Sequence, residues 1–537
     1  MWASFNREKY WGLKGRWLTF WITVACAADM ALFGYDQGVF GGVIVTEDFL
    51  STFYLKGPEH TSLLGTVTAI YDVGCFFGAI TAVYIGERLG RRRSILCGTV
   101  TMSIGAILQA SAYGVPQLII GRIVSGLGNG INTATAPTWQ GETSHAKWRG
   151  KLVLLEMVFN IAGYSLSNWL TLGFSYVPGS ASWRFPLAFQ FFFIFIILGT
   201  VIWLPESPRW LIKRDRLDEA SQIIADIADR QLDDAEVVAT VADIRSAVLH
   251  ENQHRISWSG IFSRQPGGAH GTSTVRRLVL GMTAQAMSQL SGINVTSYYL
   301  PTVLMQSVGL TESLARVLTA CNSVSYLIAG CVSLFAIERL GRRQLLMICS
   351  AGQSFCYLMI TILICFSGKA KFTSQSQVAS ASVAFFFSYY VFFACGFQGI
   401  PWLYPVEINS LVMRTKGAAL GSATNWALNF MVVEITPIGV QNLGWRFYII
   451  WTVFNASFIP LVYFFFPETA DRTLEDIDRF FQENPGIFVH KNVDGVARRR
   501  PERYVWLAQE ARSAHLDMDD LKEIGGDKAV VQHEEDS

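Results

Sequence analysis

Charge is what this chain has least of. Asp, Glu, Lys and Arg together supply only 16% of its 537 residues, against about a quarter in an ordinary soluble protein. Hydrophobic residues make up 51%, and the mean hydropathy is +0.31. That balance argues against a large water-soluble core and for a polytopic membrane protein. The net charge of +1 decides little, because the charges cluster in loops and tails and their local sign carries the information.

Other absences narrow the field further. The nine cysteines (Cys26, Cys75, Cys97, Cys321, Cys331, Cys349, Cys356, Cys365 and Cys395) lie in apolar stretches, and no two stand in a Cys-x-x-Cys spacing. A disulfide framework or a zinc site is not expected from them; they read as small buried hydrophobes. Asn294-Val295-Thr296 and Asn455-Ala456-Ser457 match the glycosylation pattern but fall inside apolar segments, which removes them as acceptors. There is no nucleotide-binding loop, metal-ligand spacing or nucleophile arrangement, so neither an enzyme nor a bound cofactor or metal is expected. Two short basic loops do not make a nucleic-acid surface. The N-terminus lacks the short apolar run and small-residue cleavage site of a signal peptide, and its first apolar segment is long enough to span and to be retained.

What is present is a series of about twelve apolar stretches, each long enough to cross a bilayer of roughly 30 Å as a helix. The first six fall near 18–44, 62–84, 94–112, 117–139, 152–174 and 185–204, and the second six near 278–300, 315–337, 344–366, 379–405, 417–437 and 445–466. Basic residues collect at Arg7–Arg16, Arg88–Arg93, Lys147–Lys151, Arg209–Arg216, Arg339–Arg343 and Arg414–Lys416, while an alternate loop such as Ser111–Gln117 has none. The positive-inside rule then puts both termini and the central loop in the cytoplasm. The expected organisation is a cytoplasmic N-terminus at 1–17, a six-helix half at 18–204 and a cytoplasmic helical linker at 205–277. A second six-helix half at 278–466 and a cytoplasmic tail at 467–537 complete it.

The hexapeptide Glu-Arg-Leu-Gly-Arg-Arg occurs twice, at Glu87–Arg92 and Glu338–Arg343, each time between two apolar segments. Pro205-Glu206-Ser207-Pro208-Arg209 after the sixth stretch is echoed by Pro467-Glu468-Thr469 after the twelfth, and Glu142 with Arg149 is echoed by Glu407 with Arg414 at the same spacing. Three echoes in register indicate two homologous halves. The fold class expected is an all-α membrane protein of twelve transmembrane helices in two pseudo-symmetric halves.

With these motifs assembled, the chain resembles the sugar porters of the major facilitator superfamily over roughly residues 15 to 480. The resemblance is carried by Gly34-Tyr35-Asp36-Gln37-Gly38, by both hexapeptides, and by Gly121-Arg122 with Gly126, Gly128 and Gly130. Pro137-x-Trp139-x-x-Glu142, the Pro-Glu-Ser-Pro-Arg run, Gln289-Leu-Ser-Gly-Ile-Asn294 with Tyr298-Tyr299, and Pro467-Glu468-Thr469 complete it. Fungal hexose, disaccharide and polyol carriers are especially similar. The resemblance implies a multi-pass transporter of the plasma membrane, with a small sugar or polyol as cargo, protons as the coupling partner and the lipid bilayer as its surroundings.

Three constellations follow. Glu87, Arg91, Arg92, Glu142 and Arg149 at one set of helix ends, with Glu338, Arg342, Arg343, Glu407 and Arg414 at the equivalent set, are expected to pair and latch the two halves on the cytoplasmic side. Asp36 and Arg122 are charges inside predicted spans, expensive there and therefore functional by default; both lie within about two turns of the outer ends. In resembling proteins the aspartate takes up the coupling proton and the arginine modulates its affinity. Gln289 and Asn294, with Gly292 between them and Gln285 one turn earlier, offer amide donors and acceptors suited to adjacent hydroxyls. Trp402 supplies an aromatic face and Asn425 a further amide. Matching positions bind substrate in sugar porters, so Gln285, Gln289, Asn294, Tyr298, Trp402 and Asn425 form the expected sugar site. Departures from the family bear on the cargo: Ser288 breaks its paired glutamines, Met157 replaces its fifth-span glutamine, and Gln398 appears where its tenth span is proline-rich. An uncoupled facilitative carrier and a non-transporting sugar sensor are the alternatives.

Overall fold

The protein is described here by a computed structural model covering residues 9–144, 149–253, 271–367, 375–410, 412–483 and 486–506. Every regular element among these residues is helical. In the first half, α1 spans Gly15–Val43, α2 Thr61–Leu89, α3 Arg91–Ala110, α4 Val115–Glu142 and α5 Arg149–Phe174; α6 comes in two pieces, Ala181–Ala188 and Gln190–Val201. In the second half, α7 runs through Gly271–Leu290, Ile293–Ser297 and Leu300–Gln306. It is followed by α8 (Glu312–Leu340), α9 (Arg342–Ser367), α10 (Gln375–Gly396 and Ile400–Ile408), α11 (Arg414–Leu443) and α12 (Phe447–Phe465). Shorter helices at Pro208–Lys213, Leu217–Ala228 and Ala235–Gln253 lie between the halves. The helix α7 begins at Gly271, inside the stretch expected to be linker.

By length and composition, seven stretches among the described residues are helical and apolar enough to cross a membrane. The spans α3, α4, α5 and the first piece of α7 are not among them, and α4 shows why. It buries Arg122, Ser125, Asn129, Asn132, Thr133, Thr135 and Gln140, polar groups turned toward protein instead of lipid, so bulk hydropathy understates such a span.

Small residues set how closely these helices approach. A methyl group placed on Gly126 or Gly130 would stand 2.1 Å from the carbonyl oxygen of Tyr71 or 2.2 Å from that of Cys75, both on α2. On Gly128 it would stand 2.4 Å from the carbonyl of Gly98 on α3. Only hydrogen fits at these three positions, so α4 is clasped backbone to backbone by α2 on one side and α3 on the other.

Two spans are broken side by side. Gly292, at φ +91°, takes the left-handed conformation that ends the first piece of α7. The carbonyls freed there are met by side chains: Tyr357 donates to Gly292 O at 2.8 Å, and Asn455 and Tyr389 donate to Ser291 O at 2.9 and 3.1 Å. Irregular backbone at membrane depth is tolerable because it is satisfied in this way. The break in α10 precedes Pro401, and the two breaks bond to each other, Ser288 donating to Phe397 O and Gln285 to Pro401 O at 3.3 and 2.9 Å.

Candidate functional site

The twin hexapeptides form two corners of nearly identical geometry on the face where α1 begins. Gly90 and Gly341 have φ of +90° and +79° and start α3 and α9. A methyl group on either would meet a carboxylate, of Glu206 at 2.5 Å or of Glu468 at 2.6 Å. Those two acids cap the helices: Glu206 accepts from the backbone N–H of Arg91 and Arg92 at 2.8 and 3.2 Å, and Glu468 from Arg342 and Arg343 at 2.9 and 3.1 Å. A carboxylate at a helix N-terminus meets both unpaired N–H groups and the positive end of the dipole. Burial pushes the Glu206 carboxyl above its ordinary value, against the pull of the backbone N–H groups of Ser207, Arg92 and Arg91.

Beside each cap lies a forked ion pair. Arg91 donates to Glu142 at 3.0 and 3.1 Å, and Arg342 to Glu407 at 3.3 and 2.8 Å. These pairs lie inside their own halves, α3 to α4 and α9 to α10, where contact across the halves was expected. The reason is geometric: each arginine opens a helix whose neighbour within the half ends at its glutamate. Among the described residues, Lys151–Glu338 crosses between the halves on this face, at 3.9 Å and largely exposed. Glu87 reaches Lys213 of the linker at 3.7 Å, and Arg343 donates to Tyr463 O at 2.7 Å. Arg92 meets Glu206 through its backbone. Arg414 opens α11. The side chain of Arg149 lies outside the described residues.

Deeper in the first half, Asp36 on α1 and Arg122 on α4 meet at 3.9 Å, both completely buried. Arg122 donates to Thr68 O on α2 at 2.7 Å, and its guanidinium lies over the rings of Phe40 and Tyr71, 4.0 and 4.5 Å from their centroids. Neither oxygen of Asp36 makes a hydrogen bond. The arginine is thus held by a carbonyl and two ring faces as well as by its carboxylate. At 3.9 Å the pair is longer than a direct charge-assisted hydrogen bond.

In the second half the expected amides do meet. Asn294 donates to Gln289 Oε1, and Gln289 donates to Asn425 Oδ1 at 2.6 Å, a relay from α7 to α11. Gln285, one turn earlier, keeps its Oε1 unpaired. Trp402 is half-buried at the start of the second piece of α10. Tyr298 does not join them. Past the Gly292 break the chain turns toward α1, and the Tyr298 carbonyl lies 2.7 Å from where a methyl group on Gly41 would stand. Its unpaired hydroxyl belongs to the neighbourhood of Arg122 and Asp36.

Several polar groups bind the halves together, and all but Gln398 escape a reading of motifs. Gln398 on α10 donates to Asn160 on α5 at 3.1 Å and accepts from Tyr326 at 2.5 Å. The hydroxyls of Tyr164 and Tyr390 meet at 3.2 Å, and those of Ser165 and Ser323 at 3.0 Å. Toward the face away from the hexapeptides, Arg316 donates to Gly42 O at 2.9 Å and Thr66 to Glu434 at 2.7 Å. Phe33 on α1 meets Trp426 on α11 edge to face at 5.6 Å. Three further buried acids, Asp29, Asp72 and Glu156, line the first half. The signal that could have found them is the one that found Asp36, a charge inside a predicted span.

Comparison with known proteins now has geometry to rest on. Residues 21–481 match the family described as "Sugar (and other) transporter". The chain belongs to this family of major facilitator transporters. It is 54% identical over 507 residues to the MFS-type transporter oryC of Aspergillus oryzae, covering 94% of this chain and 93% of that one. It is 35% identical to the sugar transporter STL1 of Saccharomyces cerevisiae, covering 89% and 83%. Among solved structures, the proton:xylose symporter XylE bound to 6-bromo-6-deoxy-D-glucose superposes with a TM-score of 0.71 at 23% identity, covering 86% of this chain and 98% of that one. This sugar-transporter relative is therefore a multi-pass membrane protein of the major facilitator fold.

Proposed function

We propose that the chain moves a sugar or related polyol across the membrane by alternating access, driven by proton symport through Asp36. The observation that carries this reading is a division of labour: an acid and an arginine sealed in the first half, and an amide relay in the second. A neutral polyhydroxylated cargo is matched by Gln285, Gln289, Asn294 and Asn425, which present donors and acceptors without charge, and by the half-buried ring of Trp402. The proton is matched by Asp36. Protonation releases Arg122 and spares the chain the movement of a bare carboxylate through a dry interior. Two of the similar proteins, the sugar transporter STL1 and the proton:xylose symporter XylE, support the same substrate class and coupling.

In this reading the halves at 18–204 and 278–466 rock about the cargo, and the hexapeptide corners face the cytoplasm with both termini, in the plasma membrane. The ion pairs inside each corner keep α3 with α4 and α9 with α10, so that each half moves as a body, and Lys151–Glu338 is the contact broken and remade. The chemistry is transport without covalent change in the cargo.

The test is uptake in cells deprived of their own carriers, across hexoses, pentoses, disaccharides and polyols, with and without a protonophore. Accumulation of one of these cargoes above its outside concentration, abolished by the protonophore, is the expected result. Absence of uptake by protein that reaches the membrane defeats the carrier, leaving a sensor; uptake that only equilibrates defeats proton coupling, leaving a facilitator.

A further inference from the structure

The Asp36–Arg122 pair is not alone in its chamber. Asp72 lies on α2 one turn from Thr68, whose carbonyl holds Arg122. It is completely buried, and neither of its oxygens has a hydrogen-bond donor. The groups around it come from several elements: Asp36 from α1, Cys75 from α2 itself, Arg122 from α4, and Tyr298 and Tyr299 from α7. Glu434 of α11 stands further out on the same side, engaged by Thr66. Within this circle there are two carboxylates and one guanidinium. Arg122 can neutralise one of them, and a second bare carboxylate without a donor, in a site closed to water, costs several kcal/mol.

We propose that Asp72 is a second proton-binding site, which shares Arg122 with Asp36 so that one of the two carboxyls always carries a proton. This rests on the symport reading and deepens it. In the conformation described, Arg122 lies against Asp36 and Asp72 holds the proton. The step is the addition of a proton to a carboxylate oxygen, with no other bond made or broken. Tyr298 gives the site its link to the transport cycle. It belongs to the second half, its hydroxyl is unpaired, and it lies near Asp72 across the interface. Parting of the halves on that face withdraws Tyr298, admits water to Asp72 and lets its proton exchange, whereas closure traps it again.

The experiment uses the purified full-length chain in lipid and needs no cargo. Infrared spectra at neutral pH, in light and heavy water, are compared for the parent and Asp72→Asn. The expected result is the loss of one exchangeable protonated-carboxyl band in the variant, with the bands of the remaining buried acids unchanged. A variant spectrum that keeps every such band overturns the proposal. Asp72→Ser gives the same readout should the asparagine variant not fold. In parallel, proteoliposomes of the parent loaded with a pH-sensitive dye report proton entry on addition of D-xylose, D-glucose or glycerol. If none of these drives proton entry, the symport reading fails, and the infrared comparison still decides whether Asp72 binds a proton.

Discussion

The interiors of the two halves invite comparison, because they share a scaffold and differ in chemistry. Their hexapeptide corners are almost interchangeable: a left-handed glycine, a capping glutamate and a forked arginine–glutamate pair occur in each. Between the corners and the far face the likeness ends. The first half buries Asp29, Asp36, Asp72 and Glu156 with Arg122, whereas α7 to α12 contain no fully buried carboxylate among the described residues and present Gln285, Gln289, Asn294, Asn425 and Asn429 instead. Duplication preserved what holds each bundle together, and the polar interior diverged. A proton needs a group that changes charge; a neutral polyol needs groups that do not.

Breaking the acidic side gives the largest expected effect. On the proposed mechanism, Asp36→Asn removes the proton-accepting carboxylate while keeping its shape, so uphill accumulation collapses to equilibration. Exchange of labelled for unlabelled cargo across the membrane persists, and counterflow measured beside net uptake separates the two. Breaking the amide side should do the converse. Gln289→Ala cuts the relay on both sides; with each lost hydrogen bond worth about 1 kcal/mol, the apparent affinity for the cargo falls roughly ten- to thirty-fold with the proton-to-cargo ratio unchanged. A concentration series with proton flux recorded alongside would expose a wrong assignment if the ratio moved as well.

The shared corners are sharpened by a paired measurement. Glu206→Gln and Glu468→Gln each replace a charged helix cap by a neutral one, and each should lower stability by about 1 kcal/mol. Thermal unfolding in detergent should give similar decreases for both; a large difference would show that the corners are alike in geometry and unlike in load. The smallest effect belongs to the exposed contact between halves. Lys151→Ala removes a long, solvent-screened ion pair, so uptake should change by less than about twofold. A larger change would make that contact a true latch.

How much of this was legible beforehand follows from the kind of signal each feature leaves. The break in α7 could be read because a glycine stands between two amides in an apolar run, and Gly292 does take the left-handed conformation. Asp36 and Arg122 could be read because charges are rare in spans. Asp72, Asp29 and Glu156 obey the same rule but belong to no familiar motif. Tyr298 was grouped with Gln289 by proximity in sequence, and a change of direction at Gly292 carried it to the other constellation. The charges of the repeated motifs do sit at helix ends, but spacing along a chain does not say which end faces which.

The sequence by itself determined the helical membrane architecture, the duplication and the family, because hydropathy and exact repetition are properties of the chain in one dimension. Tertiary structure alone decided that the repeated ion pairs close within each half, that Gln398 reaches Asn160 across the interface, and that Asp36 meets Arg122. Those outcomes depend on how glycine-lined helices approach and how broken helices turn, and packing in three dimensions sets both.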